Sequence, residues 1–380
     1  MIKYSQIAIS TFKGFKIFSI NPFQLIHENN CGPINIIEML HNSNLVLLVG
    51  LGKFDKFSQK KITLWTTKKN TVLYSSPEFS TDIIVAKLNK IRMIVGEKNF
   101  LHIYSTGDMK ILHIYEINNI SLGKLILSNN INKNVWVCFS SSLDEGEVKI
   151  YDALYPSTIK IQIKAHKSPI LKLSLSDKGD RLATCSCKGT IIRIFSLPNG
   201  EKICTFKRGI KPAFIFSLNF SKNSDKLLIS CDNGMIHLFD IEEEIEKIKD
   251  DEQPKGFSKI IYRSLVTIAS KIIPSEYEDV FGVQGAEINY FSDDLKISNI
   301  VGFCGDKIKE AFCICSNGNF VKFNIDYINK KINKENSVNI SEFKEIDNRA
   351  PSISDSFINE DYNCGVFLYF ILINQLFLCS

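Results

Sequence analysis

No Gly-x-x-x-x-Gly-Lys phosphate loop, no Gly-x-Ser-x-Gly elbow and no cluster of His with carboxylates occurs in these 380 residues. Those absences argue against a P-loop nucleotidase, a serine hydrolase and a metal-dependent hydrolase, so no catalysis and no cofactor is expected. Gly50-Leu51-Gly52-Lys53 follows an apolar run, but a dinucleotide fingerprint needs Gly at Asp55 and a helix after it, so this stretch reads as a hairpin turn. Strong charge of one sign is missing too. The formal net charge of +5 is small and spread along the chain, which gives no footprint for nucleic acid. No secretory leader precedes the eleven cysteines, a reduced, cytosolic pattern. Cys185 with Cys187, and Cys313 with Cys315, are spaced two apart in apolar runs. A zinc knuckle needs longer spacing and four converging ligands, so these are expected to be buried structural thiols.

Long helical periods are absent as well, and a strand ending recurs instead. It appears at Gly14-Phe15-Lys16-Ile17-Phe18, Lys61-Ile62-Thr63-Leu64-Trp65, Phe100-Leu101-His102-Ile103-Tyr104 and Glu147-Val148-Lys149-Ile150-Tyr151. Three more copies end at Phe195, Phe239 and Phe323. Most copies lie about 40 to 47 residues apart, the period of a four-stranded propeller blade. Seven copies predict an all-β, seven-bladed WD-type β-propeller. The final interval is nearly double, which places a long insertion, about 242–285, inside the sixth repeat. The propeller is expected over 1–326, followed by a polar tail over 327–380 that ends in a short apolar segment.

The chain is organised around Ala165 to Phe239, and at its centre lies Phe206-Lys207-Arg208-Gly209. Successive residues of an extended chain point to opposite sides, so Lys207 and Arg208 serve two anions rather than one. The flanking runs Ala183 to Phe195 and Leu228 to Phe239 each read as strand, Gly-containing turn, strand. They supply hydroxyls, an Arg and a His, the donors a desolvated phosphate head group needs.

With Ala165-His166-Lys167-Ser168-Pro169 upstream, this stretch resembles the core of the PROPPINs, the WIPI-type autophagy β-propellers that bind phosphoinositides. Their Phe-Arg-Arg-Gly signature has Lys207 at its first Arg here, which keeps the charge and loses the planar fork. The resemblance implies a first head-group pocket of His166, Thr184, Ser186, Gly189, Thr190, Arg193 and Lys207. The Ala-His dipeptide also has a structural reading, in which His166 ties turn to strand. A second pocket would use Arg208, Ser230, Cys231, Met235 and His237. Cys231 and Met235 stand where the family has hydroxyl residues, so the second site is expected to be weaker.

The insertion begins acidic at Glu242-Glu243-Glu244 and turns basic and apolar from Lys255. Phe257, Ile260, Ile261, Tyr262 and Leu265 lie among Lys259 and Arg263, a composition suited to an anionic membrane interface; a loop or helix packed on its own blade is the other reading. Ser58-Gln59-Lys60-Lys61-Ile62 and Lys87 to Val95 resemble the family's docking segments for its lipid-transfer and conjugation-machinery partners; a solvated basic strand end is the other reading of the first. Family members usually carry another strand's worth of residues before Ile7-Ala8-Ile9-Ser10. Cys364 to Ser380 is apolar, holds Asn374 and Gln375, and reads as a tail anchor, a closing strand or a misplaced final exon. The resemblance as a whole implies a cytoplasmic, monomeric effector, peripheral on pre-autophagosomal, endosomal or vacuolar membranes carrying phosphatidylinositol 3-phosphate or the 3,5-bisphosphate. A WD-type scaffold without lipid binding is the rival reading, since Lys207, Cys231 and Met235 depart from the family pattern.

Overall fold

A computed structural model describes residues 6–11, 13–40, 43–52, 57–117, 124–128, 135–140, 146–252, 285–304 and 308–340, with side chains omitted over 247–252. Apolar residues alternate with polar ones over five or six positions and are separated by tight turns, so the chain folds into antiparallel sheets of sequential strands. Seven such sheets form the blades of a seven-bladed β-propeller.

Every one of the seven recurring endings lies in a strand with partners on both sides. These strands are Phe15–Ile20, Ile62–Thr66, Phe100–Ser105, Gly146–Asp152, Ile191–Ser196, Met235–Asp240 and Asn319–Asp326. Such a strand is paired on both sides and most of its side chains are buried, so its apolar residues and closing aromatic recur from blade to blade as the clearest signal in the sequence.

The chain divides into two compact units. The first holds blades 1 to 3 and most of blade 7. Blade 1 has three strands among the described residues, Gln6–Ser10, Phe15–Ile20 and Phe23–Asn29. Ile9, Phe18 and Ile20 pack there against Phe312, Ile314 and Phe320 of blade 7. Blade 7 corrects the expected end of the propeller. Lys331–Asn339 is its fourth strand, and Ile340 joins the same core. This outermost strand buries only Ile332 fully, so its polar composition reads as tail although its backbone is paired. Residues 341–380, with the apolar segment from Cys364, lie outside the described residues.

The second unit holds blades 4, 5 and 6. Blade 5 runs Ile170–Leu175, Arg181–Ser186, Ile191–Ser196 and Lys202–Lys207, and blade 6 runs Ile215–Phe220, Lys226–Cys231, Met235–Asp240 and Ile288–Phe291. One core joins them, in which Ala183, Cys185, Ile192, Ile194 and Phe206 meet Leu227, Ile229, Cys231 and Phe239. The insertion leaves blade 6 between its third and fourth strands, where the sequence interval places it. It opens with a helix, Ile241–Glu252, whose Ile241 and Ile245 join the core of blades 5 and 6, so this part of the insertion follows the reading of a helix packed on its own blade. Asp240 Oδ1 accepts from Glu243 N at 3.1 Å and caps it, and Arg181 Nη2 reaches Glu242 Oε1 at 2.6 Å. The predicted membrane residues Phe257, Ile260, Ile261, Tyr262 and Leu265 lie outside the described residues.

Phe206 carries the packing load under the Lys207-Arg208 pair. It is fully buried and its ring lies 4.9 Å from that of Phe239. Phe206→Ala is expected to lower unfolding stability by about 3 to 5 kcal/mol in chemical denaturation, the range for truncating a buried Phe.

Candidate functional site

Register decides which side chains meet. In blade 5, Thr184 lies opposite Arg193, Arg193 opposite Thr205, and Ile191 opposite Lys207. Thr184, Ser186, Arg193 and Lys207 therefore share one face, the one whose apolar end, Leu182 and Phe195, packs on blade 4. The opposite face carries the core shared with blade 6. Arg208 follows Lys207 by one residue and so faces blade 6.

His166 ends the fourth strand of blade 4 and reaches across to blade 5. Arg193 Nη1 lies 3.0 Å from His166 Nδ1 and 2.7 Å from the Ala165 carbonyl. A guanidinium only donates, so Nδ1 accepts and the ring proton sits on Nε2. Nε2 then donates to Thr184 Oγ1 at 2.9 Å, and that hydroxyl faces the Arg193 carbonyl at 3.4 Å. His166 is thus the tie that its sequence context suggests, and it also sits with the predicted first pocket. Thr184 is fully buried and Arg193 nearly so, while Lys207 is half-buried and has no ion pair among the described residues.

The turn beside them is closed by backbone contacts. Gly189 has φ +61°, and a Cβ there would lie 1.9 Å from the Ala213 carbonyl oxygen, so no other residue fits. Arg208 Nε donates to the Gly189 carbonyl at 2.7 Å, Nη2 donates to the Lys211 carbonyl, and Arg208 N donates to Thr190 O at 2.8 Å. Ser186 is buried at the end of its strand and Thr190 is half-buried at the turn.

The second constellation is only partly the predicted one. Ile229 lies opposite His237, so Cys231, Met235 and His237 share the face turned to Arg208. Ser230 lies opposite Ile236 and belongs to the other face, where its buried hydroxyl has no hydrogen-bond partner among the described residues. Strand alternation sets this, since Ser230 lies between Ile229 and Cys231, both of which face blade 5. Cys231 occupies the inward position, and burial pushes its thiol up to about 12 against the charge of Arg208. Burial pushes His237 down to about 4; its bond to Asn289 Oδ1 at 2.5 Å opposes that fall and Arg208 adds to it. The ring is neutral, and its buried Nε2 has no hydrogen-bond partner among the described residues.

A feature that the sequence reading missed lies at the two stems of the insertion. Asp240, Glu243 and Glu287 bring carboxylate oxygens within 4.8 Å of one another. Lys226 already serves this cluster, pairing with Asp240 and lying 4.0 Å from Glu287, so an ammonium stands where a metal ion would. The Asp240-x-x-Glu243 spacing, a helix-capping pattern, was the available signal. In the first unit, Lys61 pairs with Glu78 at 3.5 Å and Lys87 with Glu38 at 3.0 Å. A groove of about 480 Å³ lies nearby, lined by Tyr74, Phe79, Phe100, Tyr104 and Ile111 over the Glu97–His102 pair, 2.8 Å apart. Burial works to raise the Glu97 carboxyl, and bonds from Ser80, Thr81 and His102 together hold it below its ordinary value. Among the described residues no helix is long and apolar enough to cross a membrane.

The buried neutral His237 fixes a pH dependence. Its folded-state value is depressed, so above about pH 6.5 it costs nothing. As pH falls toward 4 the unfolded chain takes up a proton that the native ring refuses, and stability drops. Between pH 7 and pH 5 the native chain is expected to lose about 2 kcal/mol more than His237→Gln, read from denaturation midpoints.

Comparison with known proteins identifies the family. A family model described as PROPPIN matches residues 3–330. Autophagy-related protein 18 of Dictyostelium discoideum is 37% identical over 239 residues, 63% of this chain and 63% of that protein. Its namesake in Aspergillus clavatus is 32% identical over 269 residues, 65% of this chain and 62% of that protein. The chain thus covers less than two thirds of the length of these relatives. Among solved structures, Kluyveromyces lactis Hsv2 superposes with a TM-score of 0.69 at 18% identity, covering 88% of this chain and 96% of that one. A complex of KlAtg21 with the coiled coil of AgAtg16 gives 0.65 at 20%, covering 89% and 99%. Those two likenesses establish the fold, and the family model spans the blades that carry the Lys207-Arg208 site: the chain belongs to the PROPPIN family of autophagy-related β-propellers.

Proposed function

We propose that this chain is a non-catalytic effector that binds phosphatidylinositol 3-phosphate, or the 3,5-bisphosphate, at membrane surfaces and recruits autophagy or vesicle-traffic proteins there. The observation that carries this reading is the split of two adjacent cations onto the two faces of blade 5, each beside a set of polar groups fixed by other contacts.

In the first pocket Lys207 supplies a mobile charge, and Ser186 and Thr190 supply hydroxyls at the turn. The Arg193–His166–Thr184 chain holds the guanidinium in place before any anion arrives, so little ordering remains to be done on binding. In the second pocket Arg208 is the cation. The unpartnered Nε2 of His237 suits a phosphate that still carries a proton, or takes one up when the anion binds. Cys231 and Met235 offer no strong donors. Each charge-assisted hydrogen bond forgone costs about 1.5 to 3 kcal/mol, so this pocket binds more weakly and adds mainly avidity. The insertion would add membrane contact. The apolar groove in the first unit suits a helical partner, in keeping with the coiled coil bound by KlAtg21 in its complex.

Flotation with phosphatidylcholine vesicles carrying phosphatidylinositol 3-phosphate, at one fixed ionic strength, tests the reading. Lys207→Thr/Arg208→Thr is expected to weaken recovery by at least about tenfold. Recovery that is unchanged, or absent in both proteins, would overturn the pocket assignment and favour a scaffold that does not bind lipid. Met235→Thr restores a hydroxyl on the Arg208 side and is expected to tighten binding by about fivefold in the same assay.

A further inference from the structure

One apolar side chain stands out beside the two cations. Ile210 lies in the link between blades 5 and 6, two residues after Arg208, and is 82% exposed. A β-branched hydrocarbon left in water forgoes the stabilisation that burial would bring, and most large apolar residues of this unit are buried. Its flanks are cationic, with Lys207 and Arg208 before it and the exposed Lys211 after it.

The link that presents Ile210 is held at both ends. Arg208 N and Gly209 N both donate to the Thr190 carbonyl, at 2.8 and 3.4 Å. The Arg208 guanidinium spans the tip, bonded to Gly189 O on one side and to Lys211 O on the other. Ala213 N closes the far end on Lys188 O at 3.2 Å, and Pro212 restricts Lys211 to extended conformations. The tip is therefore displayed by an organised scaffold with no packing partner among the described residues. Phe291, 53% exposed on the outer strand of blade 6, differs in its charges: Asp293 and Asp294 follow it, and Lys296 over its ring is paired with Asp293. An anionic surface favours the first tip and repels the second.

We infer that Ile210 is a membrane wedge: when Lys207 and Arg208 hold their head groups, its side chain enters the glycerol and acyl-chain boundary of the same anionic bilayer. This rests on the phosphoinositide reading above and adds an apolar contact from the propeller body, separate from the insertion in blade 6. Burial of one Ile corresponds to about tenfold or more in affinity. Apolar burial is not screened by salt, whereas the cationic contribution is.

The experiment compares the full chain with Ile210→Ser, using phosphatidylcholine vesicles that carry phosphatidylinositol 3-phosphate, at low and at high ionic strength. The expected result is about a tenfold loss of flotation that is the same at both. Ile210→Trp supplies an independent readout, since both native tryptophans, Trp65 and Trp136, are buried. Its emission should shift to the blue on vesicles and be quenched by acyl chains brominated near the head group. Flotation of Ile210→Ser at the native level, or a loss seen only at low salt, would overturn the wedge, as would Ile210→Trp that floats without being quenched. Each of these leaves phosphoinositide binding standing. Failure of the native chain to float would overturn the lipid reading itself, and the wedge with it.

Discussion

A strand sends consecutive side chains to opposite faces, and at the end of the fourth strand of blade 5 this rule acts on two adjacent cations. Lys207 goes with Thr184, Ser186 and Arg193, and Arg208 goes with Cys231, Met235 and His237. Everything else at the site depends on that division. The buried pair of Phe206 and Phe239 keeps the strand in place, and Gly189 lets the neighbouring turn approach closely enough for its carbonyl to receive Arg208. The His166 tie joins blade 4 to Arg193 and Thr184 on the Lys207 side, so that pocket is built from two sheets.

The two sides are not equally built. On the Lys207 side, polar groups satisfy one another in a closed chain running from Arg193 through His166 to Thr184. On the Arg208 side the guanidinium is engaged by backbone carbonyls, a thiol replaces a hydroxyl, and a neutral imidazole keeps an unpartnered nitrogen. Buried polar atoms without partners are costly. Among the described residues one such atom, His237 Nε2, lies on this side and marks it as the less finished of the two.

The propeller was legible because its most buried strands repeat. Each recurring ending lies in a strand paired on both sides, where most positions are buried and must be apolar. The outermost strands were not legible in the same way. Lys331–Asn339 presents mostly exposed polar side chains and reads as tail, although its backbone is paired in blade 7. The helix Ile241–Glu252 is short and acidic, and its signal lay in the Asp240 cap rather than in its period. Within the site, residue types and approximate positions were readable. The face of Ser230 was not, because the resemblance groups it with its strand neighbour Cys231, and only the register shows that Cys231 is the one sharing a face with His237. The contacts of Lys226 with Asp240 and Glu287 were likewise hidden, since they join residues far apart in sequence.

The measurement that bears most directly on this account removes the membrane altogether. Calorimetric titration of the native chain with soluble inositol 1,3-bisphosphate, against inositol 1,4-bisphosphate as control, isolates the head-group chemistry from insertion, avidity and partners. The account predicts saturable heat for the 1,3-isomer at two unequal sites, accompanied by proton uptake at the weaker one. Absence of heat, or equal response to both isomers, would contradict it.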